Sequence, residues 1–153
     1  MSVTLSGQTV LAIAQDLFTA LVDGEPGAVV ARPAGDLTFT DPLHAWVDIV
    51  GTTRIRTAVT TEAATARALA RILLALEEEE PVTADDVGDV LGELANVIGG
   101  NLKGTSHEPT TLTLPVVTTR LQDRGVPPVL EQGMSWRGEG LVVTLWDLGE
   151  EAD

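Results

Sequence analysis

Residues 83–104, TADDVGDVLGELANVIGGNLKG, have the pattern of one long helix with two different faces. Apolar residues recur in it with the 3.6-residue period of an α-helix, so they share one side of that helix. They are Val87, Val90, Leu91, Leu94, Val97, Ile98 and Leu102. Thr83 is a suitable N-cap, and Gly99 and Gly100 predict where the helix ends.

The opposite side of this predicted helix is polar. It carries Asp85, Asp86, Asp89, Glu93, Asn96 and Gly100. Asp89, Glu93 and Asn96 are spaced i, i+4 and i+7, so one partner could touch all three at once. Asparagine is a poor helix former, so helix propensity does not explain Asn96. A carboxylate beside a carboxamide can accept a hydrogen bond from a cation and also orient a water molecule. On this octapeptide alone, a merely solvated acidic face is the better interpretation.

The composition bounds the function as well as the fold. The chain has 153 residues with a hydrophobic fraction of 44%, which suits one domain with a sizeable core. It has no cysteine, and His44 and His107 lie far apart, so we expect no metal site of its own. The net charge of −14 opposes binding to nucleic acid or anionic lipid and favours a partner with a basic patch.

The sequence also predicts a cytoplasmic protein that does not cross a membrane. No apolar run approaches the roughly 20 residues that a membrane span needs. The first residues, MSVTLSG, have neither a charged segment nor a cleavage site of the kind that directs secretion.

The rest of the chain predicts helices and clustered strands. Two further helices are expected at residues 8–22 and 62–79. Strands are expected at residues 45–50, 54–59, 110–118, 129–136 and 141–146, with weaker strand signals in 27–35 and 37–40. The order is therefore helix, strands, helix, helix, strands. Because the strands cluster, we predict an α+β fold with an antiparallel sheet packed against long helices.

Single residues and the chain ends add detail to this prediction. Arg54 and Arg56 alternate with apolar residues and are expected to face water. Pro115 implies that its strand lies at a sheet edge or contains a bulge. We predict a flexible arm at residues 1–6, one domain at 7–148 and a polar tail at 149–153.

The flanks of the polar row resemble the signature helix of the CheC/CheX family of chemotaxis phosphatases. That signature is an Asp or Ser, then E-x-x-N four residues on, then small residues and a proline in a following strand. The matching residues here are Asp89, Glu93, Asn96, Gly99, Gly100 and Pro115. Upstream, AWVDIVGTTRIRTAVTTEAATARALARILL is similar to the strand, glycine, strand and helix of the family.

The resemblance covers about residues 7–147 and is closest to the CheX branch. The CheC branch is known for an internal repeat with a site on each copy. Here the first helix lacks E-x-x-N, which matches the one-site pattern of CheX.

The resemblance implies a phosphatase that removes the aspartyl phosphate of a CheY-like response regulator receiver domain. It implies that Asn96 orients the attacking water and that Glu93 docks the lysine of the receiver, with Asp89 and Gly100 in support. It implies no cofactor of the chain's own, because the divalent metal (Mg) belongs to the receiver. It further implies a CheX-like fold and a homodimer.

Two other functions stay open at the level of sequence. The chain could be a non-catalytic CheX-like dimeric binding module that sequesters a receiver domain. It could also be an unrelated structural α+β domain in which the D-x-x-x-E-x-x-N pattern arose by chance.

Overall fold

The computed structural model describes residues 5–150, in which a seven-stranded antiparallel sheet carries three α-helices on one face. The helices are α1 Gly7–Phe18, α2 Ala63–Leu73 and α3 Ala84–Lys103. The strands are β1 Val29–Arg32, β2 Pro42–Val50, β3 Thr53–Glu62, β4 Thr111–Leu112, β5 Val116–Thr118, β6 Leu130–Trp136 and β7 Glu139–Glu150. The predicted α+β class with an antiparallel sheet is confirmed.

The order of the strands puts β4 and β5 at one border of the sheet. The order is β1-β6-β7-β3-β2, and both β4 and β5 pair with the free side of β2. Every pairing is antiparallel. The edge position that Pro115 predicts is therefore confirmed, since this residue lies between the two short strands of that border.

Alternating side chains of the central strands form the core under the helices. Residues of one strand point alternately to the two faces of a sheet, so this alternation gives the helices a continuous apolar surface. The buried apolar residues of β2, β3 and β7 that contribute to it are Ala45, Val47, Ile49, Ile55, Val59, Leu141, Val143 and Leu145.

α3 lies very close to β2 at Gly99. Gly99 is buried, and a Cβ atom on it would overlap the side chain of Val47. The helix runs on through Gly99 and Gly100 to Lys103. The predicted end of the helix at these glycines is therefore wrong, because Gly99 serves close packing against the sheet.

Two other predicted elements differ from the observed ones. α2 ends at Leu73, well before residue 79, and Ala75 takes the left-handed backbone conformation with φ 52°. Arg71 then donates to the carbonyl oxygens of Glu77 at 2.6 Å and Glu80 at 2.9 Å, which holds the acidic run in a turn. Residues 37–40 form no strand, and the Thr40 N–H donates instead to the Glu62 carboxylate.

The other face of the sheet carries a buried ion-pair cluster. Asp48 is fully buried and accepts hydrogen bonds from Arg56 at 2.8 Å and from Arg54 at 2.6 Å. The Arg56 guanidinium also stacks on Trp46, 3.6 Å from the ring centroid. The expectation that both arginines face water is wrong for Arg56, which is 8% exposed. Asp48 lies directly opposite Arg56 in the β2–β3 register, and its carboxylate pairs with the Arg56 guanidinium and keeps it out of solvent.

Residues at the predicted domain limits take part in the fold. The Ser6 hydroxyl accepts from the Thr9 N–H and so caps α1, while Gly149 and Glu150 belong to β7. The rest of the predicted arm and tail, residues 1–4 and 151–153, lies outside the described residues. Within residues 5–150, no helix has both the length and the apolar character needed to cross a membrane.

Candidate functional site

α3 begins at a well-defined cap that fixes the direction of the polar row. The Thr83 hydroxyl accepts from the Asp86 N–H at 3.1 Å, and the Asp86 carboxylate accepts from the Thr83 N–H at 2.9 Å. This reciprocal pair is a capping box, and it confirms the predicted N-cap. With its start capped and its apolar side buried, the helix holds Asp89, Glu93 and Asn96 on its outer side.

The polar row borders an open groove of about 600 Å³ between α3 and the connection from β4 to β5. Asp89 and Glu93 are exposed and Asn96 is half-buried. The groove is lined by Gly88, Asp89, Gly92, Glu93, Asn96, Leu114, Pro115 and Val117. The structure thus brings three of the four predicted site residues together in one groove.

Gly100, the fourth predicted site residue, lies beyond this groove. A Cβ atom built on it would come 3.9 Å from the Leu112 side chain, which is ordinary contact. Gly100 therefore sits over β4, next to the groove and outside its lining.

The polar side chains of the groove have no partner within the described part of the chain. No hydrogen bond or ion pair between residues 5 and 150 engages the side chains of Asp89, Glu93 or Asn96. The second asparagine of α3 is different, because the Asn101 amide donates to the Val97 carbonyl of its own helix at 2.8 Å. Glu93 and Asn96 can therefore offer a carboxylate and an amide to a molecule that enters the groove.

The second wall of the groove is a β-bulge at the sheet edge. Leu112 pairs with Ile49 and Val116 pairs with Trp46, so the three residues 113–115 oppose only two residues of β2. An extra residue of this kind bends a strand and redirects its side chains. Pro115 lies against α3, since a Cβ atom on Gly92 would be 3.4 Å from its ring.

Sequence reasoning missed the apolar wall that Leu114 and Val117 form. The bulge was one of the two alternatives that Pro115 implied. The sequence signal for the wall was the apolar run LPVV, but four residues are too few to show which side chains turn toward α3.

Among residues 5–150, no group of three or more His, Cys, Asp or Glu side chains is placed to hold a metal ion.

The fold and the groove define an α+β domain that presents polar side chains of one long helix at a sheet edge. A sequence model described as chemotaxis phosphatase CheX matches residues 43–124, more than half of the chain. The chain therefore belongs to the CheX family, as the signature predicts. No curated protein sequence matches it significantly.

Solved structures share this fold at low sequence identity. The chemotaxis protein CheX from Vibrio vulnificus superimposes with a TM-score of 0.69 at 13% identity, over 93% of this chain and 98% of that one. CheX in a CheX-CheY-BeF3-Mg complex from Borrelia burgdorferi gives a TM-score of 0.68 at 18% identity, over 92% and 96%. CheX from Desulfovibrio desulfuricans gives 0.65 at 16% identity, over 92% and 97%.

Proposed function

We propose that the protein is a phosphatase for the aspartyl phosphate of a CheY-like receiver domain. The observation that carries this proposal is the open groove in which Glu93 and Asn96 lie one turn apart, without partners among residues 5–150. Membership of the CheX family supports the substrate class. The Borrelia burgdorferi relative forms a complex with CheY, BeF3 and Mg, which fits a receiver as the partner.

The reaction requires little of the protein beyond correct positioning. The oxygen of a water molecule attacks phosphorus, the bond from phosphorus to the aspartyl oxygen breaks, and inorganic phosphate and a free carboxylate result. The transition state of phosphoryl transfer needs mainly an in-line nucleophile and compensation of charge. Holding the reactants in that geometry can by itself account for a large part of the acceleration.

We assign the positioning of the water to Asn96. Its amide has both an acceptor oxygen and a donor NH2 group, so it can hold a water molecule in a fixed orientation. The metal in this proposal is the Mg of the receiver, which compensates charge on the phosphoryl group, and the chain has no cofactor of its own. Asn96 is half-buried and lines the same groove as Glu93, so its amide is within reach of a molecule that enters the groove.

We assign docking of the receiver to Glu93, whose exposed carboxylate would pair with the active-site lysine of the receiver. Asp89 extends the same acidic edge by one turn, and Gly100 leaves space for a close approach farther along the helix. Pairing of two copies into a homodimer, as the family resemblance implies, and a cytoplasmic location complete the proposal.

Replacing Glu93 with glutamine should raise the receiver concentration at half-maximal rate by about tenfold. A hydrogen bond between charged groups contributes about 1.5–3 kcal/mol, and 1.4 kcal/mol corresponds to tenfold. The measurement is the initial rate of phosphate release at varied concentrations of phosphorylated receiver.

Asp85→Asn is the matched control, since it removes one exposed negative charge from the first turn of the same helix. Its half-saturating concentration should stay near that of the unmodified protein. An equal increase of the half-saturating concentration in both variants would mean that Glu93 acts only through net charge, which would contradict specific docking.

A further inference from the structure

The β-bulge presents an apolar side chain whose exposure the fold does not explain. Leu114, at the centre of residues 113–115, is 86% exposed, the highest value among the large apolar residues that the structure describes as exposed. Isolated exposed leucines are common on protein surfaces. This one lines the same groove as Glu93 and Asn96, so a protein that reaches them comes close to it.

The backbone on both sides of Leu114 is held firmly. The Thr113 N–H donates to the Asp48 carbonyl at 2.9 Å, and the Thr113 hydroxyl accepts from the Asp48 N–H at 2.8 Å. On the other side, Pro115 has a restricted φ angle and packs against α3 at Gly92. Because the backbone is already held here, covering Leu114 with a partner costs little additional backbone entropy.

We propose that Leu114 is the apolar docking residue for the receiver and fits against an apolar depression beside its phosphorylated aspartate. This inference rests on the proposed function and adds the specificity-determining contact on the wall opposite Glu93. Protein interfaces commonly combine one well-packed apolar anchor with polar groups around it. Here the anchor would fix the distance of the receiver from α3, while Glu93 and Asn96 engage its reaction centre.

The test is a kinetic comparison of Leu114→Ser and Leu114→Met with the unmodified protein. We expect Leu114→Ser to raise KM for the phosphorylated receiver about tenfold and to change kcat less than about twofold. Leu114→Met should keep KM near its original value, because a methionine fills similar volume. Val30→Ser is the matched control, since Val30 is 50% exposed on β1 at the opposite edge of the sheet.

An unchanged KM in Leu114→Ser would overturn the docking role while leaving the proposed phosphatase intact. If the unmodified protein does not accelerate dephosphorylation, the proposed function fails, and the same variants are compared by Kd for a BeF3-activated receiver. A tenfold higher Kd for Leu114→Ser, with unchanged Kd values for the other variants, would then uphold the docking role. Equal Kd values, or no binding by any form, would overturn it.

Discussion

Replacing Asn96 with alanine is expected to lower kcat for receiver dephosphorylation by about a hundredfold or more. The reason is geometric, because a misplaced reactant can cost about a hundredfold in rate even when binding is intact. The measurement is the single-turnover decay of acyl phosphate at saturating concentrations of the protein. The affinity for the receiver should stay within about threefold, since Glu93 and Leu114 remain.

Asn101→Ala is the matched control for this substitution. It removes the second asparagine of the same helix, whose amide already bonds to the Val97 carbonyl outside the groove. We expect a kcat within about twofold of the original and little change in Tm for either variant. Full activity of Asn96→Ala would contradict the assignment of the water to Asn96.

Replacing Asp48 with alanine is expected to reduce the free energy of unfolding by about 3–5 kcal/mol. The substitution leaves the guanidinium of Arg56, a residue that is only 8% exposed, without its carboxylate partner. Urea unfolding at neutral pH measures the change. Glu131→Ala is the control, because it removes an exposed strand carboxylate and should change stability by less than about 0.5 kcal/mol.

The contribution of Asp48 to the free energy of unfolding should also depend on pH. Burial raises the pKa of Asp48, but the hydrogen bonds and positive charges of Arg56 and Arg54 outweigh it, so the pKa is lowered overall. A carboxyl group with a lowered pKa in the folded state contributes stability above its unfolded value of about 3.9. That contribution is lost as the pH falls through the folded pKa. The stability difference between Asp48→Ala and the original should therefore shrink in acid, and a constant difference would contradict the ion pair.

The sequence predicts elements whose signals are local. The cap at Thr83 and the apolar period of α3 depend only on residues that are close together in the sequence, and both are observed. The end of α3 was mispredicted because glycine has two uses. It can stop a helix, or it can let a helix approach a neighbour, and only the packing of Gly99 on Val47 decides between them.

Features that depend on pairing between distant residues were not predictable in this way. Alternation suggested that Arg56 faces water, yet Asp48 stands directly opposite it on the neighbouring strand. The groove shows the same limit. Asn96 and Leu114 lie far apart in the sequence, and the register of two edge strands with β2 brings them to one groove.

The lifetime of the acyl phosphate on receiver domains shows whether the protein is a receiver phosphatase. Receivers from the same host are phosphorylated with Mg present, and the decay is followed with and without the purified protein. The proposal predicts that at least one receiver loses its phosphate faster, in proportion to the protein added below saturation. Identical decay for every receiver, with and without the protein, would contradict it.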